Sequence, residues 1–175
     1  MSEDMLGTAV HKLWERVSDT AIRVFSQHPV KLPFSGAKPE PLTDSDLPES
    51  WLVELRDDDE LYVDDRRVEL FLTQAQRAGA VRGYNLDNQL KSELVLHPNI
   101  FDALYENTHL IPESWKVDSE GRTRYIFFWA VRFRGSDHFL RVRYQYWNNG
   151  QWRRGCDWLG ALSCNVQRPV ARLAS

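Results

Sequence analysis

Residues 125–134 have the sequence Tyr-Ile-Phe-Phe-Trp-Ala-Val-Arg-Phe-Arg, and residues 144–152 have the sequence Tyr-Gln-Tyr-Trp-Asn-Asn-Gly-Gln-Trp. In the first segment the odd positions are all apolar, while the even positions are apolar in the middle and charged towards the ends. This pattern predicts a central β-strand that is buried on both sides at mid-length. In the second segment, Asn149-Gly150 is a strong hairpin signal. The C-terminal third, residues 122–175, is therefore expected to form a meander of three strands and a closing strand.

Two further strands of this meander show a clear alternation of side chains. Along residues 138–147, one face carries Leu140, Val142, Tyr144 and Tyr146, and the other carries Arg141, Arg143 and Gln145. After Gly150, Trp152, Arg154, Cys156 and Trp158 alternate with Gln151, Arg153, Gly155 and Asp157. Polar side chains between large aromatic ones are typical of a sheet that displays a binding face.

The N-terminal part is predicted to stand apart from this sheet. Residues 3–27 are expected to form one amphipathic helix, whose apolar stripe is Leu6, Val10, Leu13, Trp14, Val17, Ala21, Val24 and Phe25. Homodimerisation through this helix and packing onto its own domain are both open hypotheses. Residues 28–50 hold five of the eight prolines and are predicted to be a linker. Residues 51–175 then form the main domain, with a displayed face within residues 141–168.

The first half of the main domain is predicted to contain strands and two helices. Residues 51–55 are expected to be a short strand or an anchor, and residues 68–72 a strand. A helix is expected over about residues 85–93. His97-Pro98 interrupts the chain, and Asn99 is expected to cap a second short helix.

Length and composition limit the class of protein. A chain of 175 residues with 42% hydrophobic residues suits one domain and an appendage. There is no apolar run of about 18 residues and no signal-peptide pattern, so we expect no membrane span and a cytoplasmic location. Cys156 and Cys164 are too few for a disulfide framework and are expected to be free thiols, with pairing on oxidation as the alternative.

Charge is distributed unevenly along the chain. From Arg122 onward there are ten arginines, no lysine and two acidic residues, a net charge of +8, whereas the first 121 residues have 12 basic and 23 acidic residues, a net charge of −11. Such a basic region is a candidate for binding nucleic acid or another acidic partner. The alternative is that the two regions attract each other or a neighbouring subunit.

Acidic residues cluster between Asp57 and Asp65. Calcium and magnesium are bound by several carboxylates, but the spacing does not fit the calcium-binding helix-loop-helix pattern and the run contains no glycine. A solvated loop, or a patch that meets the arginine-rich sheet, is the favoured interpretation. The common nucleophile, phosphate-binding and zinc motifs are absent from the sequence. We therefore expect no enzyme activity, no metal and no cofactor.

Six motifs resemble a group of bacterial proteins: LFLTQAQ, HPNIFDAL, HLIPESWK, YIFFWAVRFRGSD, RVRYQYWNNGQW and CDWLG. The resemblance extends over residues 68–175. These proteins resemble the variable targets of diversity-generating retroelements, in which mutagenic reverse transcription rewrites codons near the 3′ end of the gene. The resemblance implies an α+β, C-type lectin-like domain with two helices, a mixed or antiparallel sheet and Trp-rich C-terminal hairpins. Here that domain would be preceded by the N-terminal amphipathic helix.

The resemblance also divides the C-terminal residues into two sets. It implies a framework at Phe128, Trp129, Val142, Tyr146, Trp147, Trp152, Trp158, Leu159, Gly160, Pro169 and Ala171. It implies variable positions at Tyr144, Asn148, Asn149, Gln151, Arg153, Arg154, Cys156, Asp157, Ser163, Asn165, Gln167 and Arg168. The expected ligand-binding face comprises these variable positions except Ser163, together with Trp152, whereas Trp129 and Trp158 are expected in the core. The chain departs from the group's pattern at Ala161-Leu162-Ser163.

The sequence thus indicates a non-enzymatic protein that binds a protein or other macromolecule through a diversifiable C-terminal surface. The alternative is a nucleic-acid-binding module, in which the arginines contact phosphates and the aromatic side chains stack on bases.

Overall fold

The structure, a computed structural model, describes residues 14–42 and 46–175. Of these described residues, 42% lie in strands and 19% in helices, so the fold is mostly β. Ten strands form one large mixed sheet, and the described residues contain three α-helices. The prediction of a two-helix, α+β C-type lectin-like fold with an N-terminal helix is therefore wrong.

The elements have the following bounds. The strands are β1 (Trp14–Ser18), β2 (Ala21–Phe25), β3 (Lys38–Pro41), β4 (Ser50–Leu55), β5 (Leu61–Val63), β6 (Arg66–Phe71), β7 (Val81–Arg82), β8 (Tyr125–Arg134), β9 (Leu140–Asn148), β10 (Gln151–Trp158), β11 (Ser163–Cys164) and β12 (Val170–Leu173). The α-helices are α1 (Gln74–Ala78), α2 (Gly83–Gln89) and α3 (Pro98–Glu106). The large sheet has the order β1-β2-β4-β5-β6-β12-β8-β9-β10, with β3 also paired to β8, while β7 and β11 form a separate pair.

The described part of the predicted N-terminal helix is a β-hairpin. β1 and β2 pair antiparallel, and β2 also pairs with β4. Ile22 and Val24 are fully buried, and Arg23 between them is half-buried. This two-residue alternation of β-branched side chains favours a strand over a helix. Val17, a member of the predicted stripe, is 55% exposed. The hairpin therefore gives no basis for a helix-mediated dimer, and residues 3–13 of that prediction lie outside the described residues.

The predicted linker, residues 28–50, contributes a strand to the sheet. β3 pairs antiparallel with the C-terminal half of β8. Its two prolines, Pro39 and Pro41, have no N–H to donate, which is tolerated in an edge strand. Further along, the strands predicted at residues 51–55 and 68–72 are confirmed as β4 and β6. The helix predicted at about residues 85–93 is confirmed as α2 and the 3-10 turn that follows it.

The second predicted helix is α3, but its cap differs from the prediction. His97, not Asn99, is the N-cap, and its Nδ1 atom accepts a hydrogen bond from the Asn99 backbone N–H at 3.2 Å. The Asn99 side chain is fully buried, and its Nδ2 amide group lies within hydrogen-bonding distance of three backbone carbonyls, those of Phe25, Ser26 and His28. Asn99 thus ties the end of the N-terminal hairpin to α3.

β8 is the central strand, as predicted, and its two faces enter two cores. On one face, Phe128 packs edge-on against Phe101 of α3, with ring centroids 5.0 Å apart. On the other face, Trp129 packs in the cluster that contains Leu86 of α2. The three-strand meander of β8, β9 and β10 is confirmed. The closing strand β12 lies between β8 and β6, parallel to the first and antiparallel to the second.

Candidate ligand-binding face

β10 is the last strand of the large sheet, and its register with β9 determines where the predicted ligand-binding residues lie. On one face, Trp152, Arg154 and Cys156 are opposite Trp147, Gln145 and Arg143. On the other face, Arg153, Gly155 and Asp157 are opposite Tyr146, Tyr144 and Val142. Because successive side chains in a strand point to opposite faces, the predicted residues cannot form one surface. We call the two groups the α3 face (Arg143, Gln145, Trp147, Trp152, Arg154 and Cys156) and the tyrosine face (Tyr125, Tyr144, Tyr146, Arg153, Asp157 and Arg168).

Three tyrosines form the centre of the tyrosine face. Tyr125 stacks on Tyr146, with ring centroids 5.1 Å apart, and Tyr144 meets Tyr125 edge-on at 5.8 Å. All three side chains are half-buried. The Tyr144 ring also contacts Phe127 of the core at 5.0 Å. Because burial disfavours the phenolate, it raises the pKa of Tyr144 to about 12. Tyr144 is therefore a neutral ring on a packed support.

Gly155 allows the Tyr144 ring to occupy this position. A Cβ atom at Gly155 would lie 2.6 Å from the Cζ atom and 2.6 Å from the phenolic oxygen of Tyr144. Such a distance is shorter than van der Waals contact, so any larger residue would displace the ring. The absence of a side chain at Gly155 is thus required for the position of the Tyr144 ring on the tyrosine face.

An ion pair borders the tyrosines. The Arg168 guanidinium and the Asp157 carboxylate are 2.8 Å apart. The guanidinium carbon of Arg168 also lies 5.5 Å from the Tyr125 ring centroid, within the range of a cation–π contact. Arg153 lies on the same face, opposite Tyr146, and is exposed. Within residues 14–42 and 46–175, no carboxylate pairs with Arg153.

Helix α1 positions the loop that brings the predicted residues Asn165, Gln167 and Arg168 to this face. The Gln76 side chain is fully buried, and its Nε2 atom donates to the Arg168 carbonyl at 2.8 Å and to the Asn165 carbonyl at 3.4 Å. The Gln167 backbone N–H donates to Asn165 Oδ1 at 3.0 Å, and the Gln167 carbonyl accepts from the Tyr125 backbone N–H. All three loop residues are half-buried.

The predicted hairpin tip is confirmed and lies at one end of both faces. Asn148, Asn149 and Gln151 are exposed. Asn149 and Gly150 both have positive φ angles, 49° and 76°, as the favoured two-residue hairpin turn requires. These side chains are free to contact a ligand that approaches from either face.

The remaining predicted residues lie on the α3 face. Trp152 is only 6% exposed and packs edge-on against Trp147, so it supports the core and is not displayed. Arg154 is exposed, with its guanidinium carbon 4.6 Å from the Tyr105 ring centroid. Cys156 is half-buried, and burial raises the pKa of its thiol. This set is therefore separated from the tyrosines by the thickness of the sheet.

The two tryptophans that were expected in the core behave differently. Trp129 is fully buried, and its indole N–H donates to the Asp87 carboxylate at 2.8 Å, so this prediction is confirmed. Trp158 is 38% exposed and packs against Phe139, which is 43% exposed, with ring centroids 4.4 Å apart. Trp158 is the last residue of β10, and the expectation that it lies in the core is wrong.

Two residues of the tyrosine face were missed from the sequence. Tyr146 was assigned to the framework, and Tyr125 to the apolar face of a buried strand. Both are cross-strand neighbours, paired in the β8–β9 register. Tyr144 and Tyr146 are two residues apart in the alternation along residues 138–147, so they share one face of the strand. This spacing was the signal that could have placed Tyr146 beside Tyr144.

Most arginines of the C-terminal third are neutralised within the chain. Ion pairs are made by seven of the ten: Arg122, Arg132, Arg134, Arg141, Arg143, Arg168 and Arg172. Most of their partners precede Arg122: Glu40, Glu69, Asp87, Glu93, Asp102, Asp118 and Glu120. This supports the alternative in which the acidic and basic regions attract each other. Among the described residues, Arg124, Arg153 and Arg154 have no carboxylate partner.

The cysteines and the acidic run are the other residues that redox or metal chemistry would use. Cys156 lies on the α3 face and Cys164 in the core on the opposite side of the sheet, and both are free thiols. In the part of the chain that the structure describes, no group of three or more His, Cys, Asp or Glu residues could hold a metal ion. In the run from Asp57 to Asp65, two acids pair with nearby Arg56 and Arg67, not with the C-terminal sheet.

Comparisons with known proteins identified no relative: no family model, no curated protein and no solved structure matches the chain. Of the helices that the structure describes, none combines the length and apolar character needed to cross a membrane. The case for a functional site therefore depends on the geometry of this chain.

Proposed function

We propose that this chain is a non-enzymatic binding protein that contacts a protein or other macromolecule through the tyrosine face. The observation that carries the proposal is the cluster of Tyr125, Tyr144 and Tyr146, half-buried on a packed sheet and bordered by charged side chains. Tyrosine and arginine are enriched in the residues that dominate binding energy. Rings that are already held by their neighbours add contact area with little further loss of conformational freedom.

Charge indicates what the ligand presents to this face. Arg168 is already balanced by Asp157, whereas Arg153 is exposed and has no carboxylate partner among the described residues. An acidic group on the ligand beside an apolar or aromatic surface would therefore complement the face. Since Arg153 lies on an edge strand, it is accessible to a large partner from the open side of the sheet.

The proposal includes diversification, because of the resemblance to variable proteins, but restricts it to one face and the hairpin tip. Substitution of exposed side chains such as Gln151 and Arg153 usually changes stability little. Arg154 and Cys156 point to the opposite side of the sheet and are excluded from the diversified surface. In closely related copies of the gene, differences should concentrate at the tip and around the tyrosines. Differences spread evenly along the chain would contradict this part of the proposal.

Binding is tested by quantitative capture with matched variants of the full chain. Tyr146→Ala removes one ring of the cluster, and Arg153→Glu reverses the unbalanced charge. Arg16→Glu, an equally drastic change on exposed β1 at the other end of the sheet, is the control. A ligand of this face is lost with the first two variants and retained by the control. A ligand retained equally by all three would refute the assignment of the face.

Nucleic acid is not the proposed partner, because the ion pairs described above leave few arginines unbalanced. Phosphate binding depends steeply on salt concentration, so titration with single- and double-stranded DNA and RNA at low ionic strength is the relevant assay. We expect no binding. Salt-sensitive binding that Arg153→Glu abolishes would favour the nucleic-acid alternative.

A further inference from the structure

A cavity of about 210 Å³ lies on the α3 face, between the loop after β2 and the edge of the sheet. The loop contributes Lys31, Leu32 and Pro33, and strands β9 and β10 contribute Arg143, Arg154, Gly155 and Cys156. The cavity and the tyrosine face lie on opposite sides of β10. A ligand of the cavity is therefore a different molecule from the macromolecule proposed above, and the two proposals stand independently.

Two of the three cations that line the cavity are balanced by carboxylates. The guanidinium of Arg143 and the carboxylate of Asp102 are 2.8 Å apart, and both side chains are almost completely buried. The Lys31 ammonium is 2.6 Å from the Glu106 carboxylate. Within the described ranges, Arg154 has no such partner, and its guanidinium contacts the Tyr105 ring instead. The lining thus carries one unbalanced positive charge.

A buried amide beside Arg154 has unused hydrogen-bonding capacity. Gln145 is directly opposite Arg154 in the register of β9 and β10 and is fully buried. Among the described residues, neither its Oε1 nor its Nε2 atom has a hydrogen-bond partner. Buried polar groups of folded proteins are nearly always satisfied, by protein, water or ligand. Gln145 is not among the residues that line the cavity, so it places an unsatisfied polar group in the sheet opposite Arg154 and is not itself a contact for a ligand of the cavity.

We propose that the cavity binds a small organic monocarboxylate, held by the guanidinium of Arg154, with its apolar part against Leu32 and Pro33. A single negative charge matches the single unbalanced positive charge. The planar guanidinium presents two parallel N–H donors, which fit the two oxygens of a carboxylate. Leu32 and Pro33 give one wall an apolar character, which favours an organic acid over an inorganic anion. The Cys156 thiol is neutral, because burial raises its pKa, so it does not repel the anion.

Benzoate is a suitable probe for the full-length chain, and benzamide, which has the same shape but no charge, is the control. In calorimetric titrations we expect benzoate to bind at least about tenfold more tightly than benzamide, since hydrogen bonds to charged groups are the stronger ones. The Arg154→Gln substitution should lower the affinity for benzoate by about tenfold. Arg153→Gln removes the same charge from the neighbouring residue on the opposite face and should leave benzoate affinity unchanged. Near-ultraviolet circular dichroism confirms that both variants fold.

The reactivity of the two thiols tests where benzoate binds, without any substitution in the chain. Cys156 lines the cavity, whereas Cys164 is fully buried on the other side of the sheet. Saturating benzoate should slow alkylation of Cys156 by iodoacetamide, as measured by peptide mass mapping, and leave Cys164 unreactive throughout. Equal affinity for benzoate and benzamide, tighter binding of inorganic phosphate, no binding at millimolar benzoate, or no protection of Cys156 would each overturn the proposal.

Discussion

The buried ion pair between Arg143 and Asp102 is expected to be the most sensitive electrostatic contact in the fold. Asp102 Oδ1 accepts from Arg143 at 2.8 Å, and Oδ2 accepts from the Lys31 backbone N–H at 2.9 Å. Arg143 in turn donates to the Lys31 carbonyl at 2.9 Å. Because the exposed fractions of the Arg143 and Asp102 side chains are only 3% and 0%, the substitution Asp102→Ala leaves a buried charge without compensation.

Removal of one partner from a buried pair typically destabilises a protein by about 3–5 kcal/mol. Domains are stable by only about 5–15 kcal/mol in total, so the change is large. For a chain of this size, about 2–4 °C in Tm corresponds to each kcal/mol, and we expect Tm to fall by about 10 °C. The double variant Asp102→Ala/Arg143→Met should recover part of this loss, because it also removes the stranded charge.

Urea denaturation followed by tryptophan fluorescence measures the free energy of unfolding. The matched control is Asp137→Ala, which removes the carboxylate that lies 2.5 Å from the Arg141 guanidinium. In this pair the exposed fractions of the side chains are 21% for Arg141 and 44% for Asp137. Solvent screens that pair, so its loss should be much smaller. An Asp102→Ala variant no less stable than Asp137→Ala would refute the argument that burial gives this pair its importance.

Three further predictions concern other parts of the chain. Burial lowers the pKa of His97 from 6.5 to about 4, so as the pH falls the unfolded chain binds this proton before the folded chain does. The free energy of unfolding should therefore fall by up to about 3 kcal/mol between pH 6.5 and 4. Urea titrations at each pH measure this dependence, which should be weaker in the His97→Asn variant. Gly155→Ala should displace the Tyr144 ring, destabilise the chain by about 1–3 kcal/mol and change the near-ultraviolet circular dichroism spectrum. Gly79 has open space around it, so the control variant Gly79→Ala should leave that spectrum unchanged. The Asp59 carboxylate accepts hydrogen bonds from the backbone N–H groups of Glu113 and Ser114, at the start of the 3-10 turn Glu113–Trp115. Burial alone would raise the pKa of Asp59, but these hydrogen bonds outweigh it and lower the pKa. Asp59→Ala should lower the free energy of unfolding by about 1 kcal/mol, and an unchanged urea midpoint would contradict the role of this cap.

The strands of the C-terminal third could be predicted because their signal is local. Alternation along residues 125–134 and the Asn149-Gly150 turn are properties of a few consecutive residues. The N-terminal hairpin was missed because Val17, Ala21 and Val24 follow the three- and four-residue spacing of a helical stripe. The β-branched residues Ile22 and Val24, separated by one charged residue, favoured the strand and were outweighed by the longer apolar stripe.

Pairings between distant segments could not be predicted from local patterns. β3 pairs with a strand 90 to 96 residues further along the chain, from the Pro41–Val131 pair to the Lys38–Arg134 pair. No periodicity within a proline-rich segment indicates such a partner. The burial of Trp152 has the same origin, because it depends on the core that α3 completes. In contrast, the division of the site into two faces was available from the sequence. Arg153 and Arg154 are consecutive in a strand, so their side chains must point to opposite sides.

The position of β10 at the end of the sheet has a consequence for solubility. An edge strand with an open side can recruit a strand from another molecule, and charged side chains at the edge are a common protection against this. Arg153 and Arg154 place one unbalanced charge on each side of that strand. Replacement of both by apolar residues would give Gln151–Trp158 the features of an aggregation-prone segment. Substitutions in β10 are thus limited by the need to avoid self-association as well as by the need to fold.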